Sequence, residues 1–223
     1  MSSLLETVEQ ETGASPQWTV LWLHGLGADG HDFAPIVPEL VSPGWPALRF
    51  VFPHAPVRAV TINGGMRMRA WYDIAGMDFA TRADSRGVTE SIAQVEALIE
   101  REGARGIAPG RILLAGFSQG GAITLATGVR RTQPLGGLIG LSTYLPGASH
   151  LTAFATAVSK DQPIFMAHGH ADPVIPIVYA EDSARVLREQ GYQVQWQRYP
   201  MAHQVCAEEI AALRDWMSAL LQR

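Results

Sequence analysis

The chain has one cysteine, one lysine, no block of like charge and no long apolar run. Its single thiol, Cys206, excludes an intrachain disulfide and a zinc cage built on thiolates. Lys160 is the only lysine among 17 basic residues, a bias of genomic composition rather than of physics. Net charge is −4 with no basic stripe, so the chain offers nothing to a phosphate backbone and nucleic acid is not an expected partner. No stretch approaches the 18 or so apolar residues that a membrane span needs. The opening MSSLLETVEQE carries glutamates where a secretory signal places basic residues, so a soluble, cytoplasmic protein is expected. Solenoid-period repeats and linker-like segments are missing too, and residues 1–223 are read as a single domain.

What is present is alternation. Short, nearly continuous apolar runs at Thr19–His24, Leu48–Pro53, Arg111–Ala115, Leu138–Leu141 and Ile164–Ala167 have the character of buried parallel strands. Between and after them, Val88, Ile92, Val95 and Ile99, and then Ile210, Leu213, Met217 and Leu220, recur at helical spacing and give each helix one apolar stripe. In QVQWQRY, Gln193, Gln195 and Gln197 alternate with Val194 and Trp196, which predicts a strand wet on one face and near a sheet edge. Leu4–Gln10 is a further candidate edge strand. Pro53–Thr81 shows no clear period and is expected to form loops over the end of the sheet. The pattern predicts an α/β fold, a mostly parallel central sheet with helices on both faces.

One strand runs into glycines: RILLAGFSQGGAITLA. Gly116 and Gly120 flank Ser118 by two positions each, between a strand and a helix. A nucleophile elbow needs that arrangement, because its turn is too sharp for side chains at those positions. A serine hydroxyl is a weak nucleophile until a base takes its proton and a third group orients the base. In elbow proteins the order is serine, acid, histidine. His203, in YPMAHQVC, lies between the QVQWQRY strand and the terminal helix. Asp172, in GHADPVIP, leaves the end of the preceding strand, whereas Asp161, Asp182 and Asp215 sit before a strand or within helical stretches. Ser118, Asp172 and His203 are therefore the candidate catalytic residues. The oxyanion is expected to meet the backbone N–H of Gln119 and that of Leu26, in the HGLG turn after the first strand, and the Leu26 side chain is free to line an acyl pocket.

With these residues in place, LHGLGADGHDF, FPHAPVRAVTINGGMRMRAWYD, GFSQGGA, LSTYLP, HGHADPVIP and YPMAH follow one another as in the acyl-protein thioesterase, or phospholipase/carboxylesterase, family of α/β-hydrolases, which the chain resembles from about Trp18 to Trp216. The resemblance implies a serine carboxylesterase with the same three catalytic residues and a shallow apolar acyl site under the loops from Met66 to Asp73. Trp71 and Val174 are its implied substrate-binding walls; for Trp71 a packing role is equally open. The implied reaction is acylation and deacylation of Ser118 with no cofactor. The expected partner is a small-molecule or lipid-like acyl ester, without stable membrane insertion. Ester against thioester, acyl length, lysophospholipid or acylated protein as substrate, and homodimer formation stay open.

Two readings of other classes compete. His168-Gly-His170-Ala-Asp172 imitates the H-x-H-x-D spacing of metallo-β-lactamase-type zinc sites, but Pro173 stands where the next histidine belongs, and no metal ligand is assigned. A hydrolase fold kept only for binding would show a broken set of catalytic residues, and none is broken here.

Overall fold

Alternate residues along each buried strand need opposite apolar faces, and the helices supply both. The computed structural model describes residues 4–76, 78–79 and 82–222. Along them run β1 (Thr7–Glu11), β2 (Trp18–Leu23), α1 (Val37–Leu40), β3 (Leu48–Pro53), β4 (Val57–Val60), β5 (Met66–Arg69), α2 (Ser85–Ala104), β6 (Ile112–Phe117), α3 (Gln119–Gly128), β7 (Gly137–Leu141), β8 (Ile164–Gly169), α4 (Ile177–Glu189), β9 (Val194–Tyr199) and α5 (Ala207–Leu221). Leu21, Leu23, Leu114 and Met166 point into a core completed by α2, α3 and α4. Their neighbours Val20, Trp22, Leu113, Ala115 and Phe165 point the other way, against α1 and α5. Leu98 and Leu213 anchor the two layers and are fully buried; each such side chain contributes about 1.5–3 kcal/mol.

The seven-stranded sheet has the order β1-β3-β2-β6-β7-β8-β9. Only the pairing of β1 with β3 is antiparallel. The edge positions expected for the first and last strands hold, with β1 shifted to Thr7–Glu11 from the expected Leu4–Gln10. The chain steps from β2 to β3 on one side and returns to β6 on the other, so the order reverses around β2. Crevices at the carboxyl ends of such strands are where open α/β sheets hold ligands.

The stretch expected to be all loop is not. β4 and β5 form a separate antiparallel hairpin, Val57 opposite Arg69 and Val60 opposite Met66, turned through Gly64 and Gly65 at φ of 66° and 78°. Each strand is only four residues long, and Val60 is the one buried position in β4 with none in β5, so neither shows the continuous apolar run that marks the buried strands. Thr81, the end of that expected loop, lies outside the described residues, as does Arg223. Among the described residues no helix is long and apolar enough to cross a membrane.

Candidate active site

Ser118 ends β6 and caps α3 with φ 54° and ψ −119°, a left-handed conformation that a β-carbon makes costly. The surroundings hold it there. Its N–H donates to the Leu141 carbonyl at 2.9 Å, and its carbonyl accepts from the Thr143 hydroxyl at 2.7 Å and from the Ala122 N–H at 3.1 Å. A β-carbon on Gly120 would overlap the Leu23 and His24 carbonyls, and one on Gly116 would overlap the backbone of Gly120. The glycines are thus required by close approach of helix to strand. All ten residues of α3 are buried, consistent with a helix apolar all round.

The three residues expected to act together do meet. His203 Nε2 lies 2.8 Å from Ser118 Oγ, and His203 Nδ1 lies 2.7 Å from Asp172 Oδ2. Asp172 follows β8 and accepts four hydrogen bonds. Oδ1 takes the N–H groups of Val174 at 2.8 Å and Ile175 at 2.9 Å, and Oδ2 takes His203 and, at 3.2 Å, His168 Nε2. Burial pushes this carboxyl up, but the bonds from His168, His203 and Ile175 outweigh it and hold the group well below the usual carboxylate range. Asp172 stays ionised and can keep the His203 Nδ1 proton in place, which leaves Nε2 to accept the Ser118 proton.

The HGLG turn leaves β2 and packs on the serine: a β-carbon on Gly25 would stand 3.5 Å from Ser118 Cβ. The Gly27 N–H donates to Arg69 of β5 at 2.9 Å, tying the turn to the hairpin. His24 is buried and bridges two segments, with Nδ1 on the Gly25 carbonyl at 2.7 Å and Nε2 accepting the Ala55 N–H at 3.1 Å. Burial brings its pKa down to about 4, so the ring is neutral. Gln119, as the first residue of α3, has a backbone N–H with no acceptor inside the helix. Its side chain accepts the Trp71 N–H and donates to the Tyr72 carbonyl, both at 2.8 Å.

Trp71 corrects the expectation of a wall residue. It is fully buried, and its indole N–H donates to the His24 carbonyl at 2.9 Å, so it braces the HGLG turn from below and offers no surface to a substrate. Val174 is 52% exposed and Leu26 half-buried, so both can be touched. Cys206 is half-buried at the start of α5. Sequence reasoning missed His168, Thr143, and the clamp made by the Gln119 side chain. The signal for the first is visible in HGHAD, whose spacing reads equally as a metal motif; the others are long-range contacts.

Among the described residues, one group of side chains has metal-ligand geometry, and it lies outside HGHAD. His168 is fully buried, its Nε2 shared between Asp172 and the Ile175 carbonyl at 2.8 Å, whereas His170 is exposed. Elsewhere, Asp29, His31 and His54 hold ligand atoms within 4.8 Å of one another. There the Gly30 N–H donates to His54 Nδ1 at 3.1 Å, which puts the proton of the neutral ring on Nε2 and leaves no free nitrogen lone pair unless that bond breaks.

The phospholipase/carboxylesterase family profile matches residues 6–221. Acyl-protein thioesterase 1 of Neurospora crassa is 38% identical over 222 residues, covering 92% of this chain and 87% of the relative. Among solved structures, Arabidopsis thaliana SOBER1 superposes with a TM-score of 0.85 at 31% identity, over 92% of this chain and 99% of the other. Zea mays acyl-protein thioesterase 2 gives 0.84 at 25% identity, over 97% and 99%. An elbow serine, its fold and these matches agree: the chain belongs to the phospholipase/carboxylesterase family of α/β-hydrolases and is a hydrolase related to the acyl-protein thioesterases.

Proposed function

We propose that the protein is a serine hydrolase that cleaves carboxylic esters and thioesters of short to medium acyl chains through an acyl-enzyme on Ser118. The observation that carries this reading is the continuous relay from Ser118 Oγ through His203 to Asp172, with both bonds under 3 Å. His203 takes the Ser118 proton as Oγ attacks the carbonyl carbon. The Leu26 and Gln119 N–H groups receive the developing oxyanion. His203 then protonates the departing oxygen or sulfur, and water repeats the sequence on the acyl-enzyme. Leu26 and Val174 border the acyl site. The names of the fungal and maize relatives favour acylated proteins as one source of the thioester.

The test is covalent labelling by a fluorophosphonate, followed by peptide mapping, with turnover of nitrophenyl esters and acyl thioesters of graded length. The label is expected on Ser118, and Ser118→Ala should remove both label and turnover while melting like the parent. Full activity in that variant would end the proposal.

A further inference from the structure

A cleft of about 450 Å³ opens beside His203, with Phe33, Phe117 and Ile210 among its apolar lining and with Asp32 and Glu39 as its acidic lining residues. The aromatic rings follow one another, each tilted against the next: Phe33 lies 5.5 Å from Phe117, and Phe117 lies 4.8 Å from the His203 imidazole, centroid to centroid. Among the described residues neither carboxylate has a hydrogen bond or ion pair. Arg214, which α5 brings to the same side, donates to the main-chain carbonyl of Glu39 at 2.7 Å and leaves the carboxylate free. Asp32 and Glu39 are both exposed; desolvation beside the cleft wall and the nearby charge of Asp29 push the Asp32 carboxyl up. Two unpaired acids that share a cleft with aromatic side chains give it a negative potential that favours a cation.

The chemistry says which part of a substrate enters. His203 Nε2 must deliver its proton to the departing atom from hydrogen-bond distance, about 2.6–3.2 Å. That atom therefore lies on the His203 side of Ser118, and His203 is itself a wall of the cleft. We propose that this cleft is a leaving-group subsite, selective for esters and thioesters whose alcohol or thiol carries a positive charge on a short aliphatic stem. The inference rests on the serine mechanism proposed above. As the tetrahedral intermediate collapses, the C–O or C–S bond breaks and its electron pair stays on the departing atom. The His203 proton neutralises that atom, and the alcohol or thiol leaves with its cationic end still against Asp32 and Glu39.

Two sources carry this chemistry, a small quaternary amino alcohol or thiol and a basic side chain beside an acylated cysteine. The experiment compares kcat/KM for butyrylthiocholine with its neutral isostere, the 3,3-dimethylbutyl thioester, and for S-butyryl-cysteinyl peptides with lysine or norleucine next to the cysteine. At least one pair should favour the cation by about tenfold, which identifies the source, and Asp32→Asn with Glu39→Gln should bring that ratio close to one. Glu39→Gln alone, at an exposed position, should lower it in part and keeps the test open if the double variant misfolds. Ratios near one in both pairs, or a ratio that the variants leave intact, would overturn the subsite. Binding of butyltrimethylammonium against neopentyl alcohol, titrated by NMR on Ser118→Ala, separates the two readings. Preferential cation binding without any turnover would refute the serine mechanism and keep the subsite, whereas turnover without cation preference would do the reverse.

Discussion

Glu209 sits in the first turn of α5 with 1% of its surface exposed, and neither carboxyl oxygen has a hydrogen bond of good geometry. Burial drives its pKa from 4.5 up to about 8, against a weaker opposing pull from the Cys206 main-chain N–H. The unfolded chain releases this proton near 4.5, and the folded protein keeps it to about 8. Between those values the folded state binds more protons, so stability falls as pH rises. At about 1.4 kcal/mol per unit, the contribution from this group drops by about 3 kcal/mol between pH 4.5 and 7, and further up to pH 8. Glu209→Gln keeps the shape without the titration. Urea unfolding at pH 5, 6, 7 and 8 should show the variant gaining steadily on the parent, by about 3 kcal/mol or more at the top of the range. A difference between the two proteins that is constant across these pH values would refute the reasoning.

Asp172→Asn retains an oxygen for the Val174 and Ile175 N–H groups but presents an amide to His203, so kcat should fall by about 10³–10⁴ with the fold preserved; near-normal turnover would reassign the acid. His168→Leu leaves the Ile175 carbonyl unpaired, at about 1–3 kcal/mol in denaturant unfolding. It also takes a donor from Asp172. Because the folded carboxyl titrates below its ordinary value, Asp172 contributes stability above about pH 3.9 that is lost as pH falls through the folded value. With that donor gone the contribution shrinks, so acid unfolding should begin at higher pH than in the parent; an unmoved midpoint would count against the pairing. Gly120→Ala forces a methyl onto the Leu23 and His24 carbonyls and should cost about 3 kcal/mol or the soluble protein, as read by thermal melting.

The legible parts of this molecule are those written in local pattern. Buried strands such as Leu48–Pro53 announce themselves by continuous apolar residues, and the elbow by glycines placed two either side of Ser118. His203 and Asp172 could be picked out because loops at strand ends carry chemistry and few candidates follow the serine. Trp71 could not, since a tryptophan beside a site reads alike whether it faces solvent or props a turn from beneath. Its burial and the indole bond to the His24 carbonyl, 47 residues away in sequence, decide it. The β4–β5 hairpin was hidden for a different reason, as its strands are four residues each and largely exposed, too short for a period to stand out.

The relay spans separate parts of the chain. Ser118 and His203 are 85 residues apart, and His203 follows β9, the outermost strand on its side of the sheet. Long-range pairings of this kind are the slow ones to form, because the intervening chain must be ordered first. Turnover during refolding is therefore a clock for the final stage of assembly. Fluorescence from the buried Trp22 and Trp71 should recover first, and hydrolase activity should return only when β9 has docked on β8.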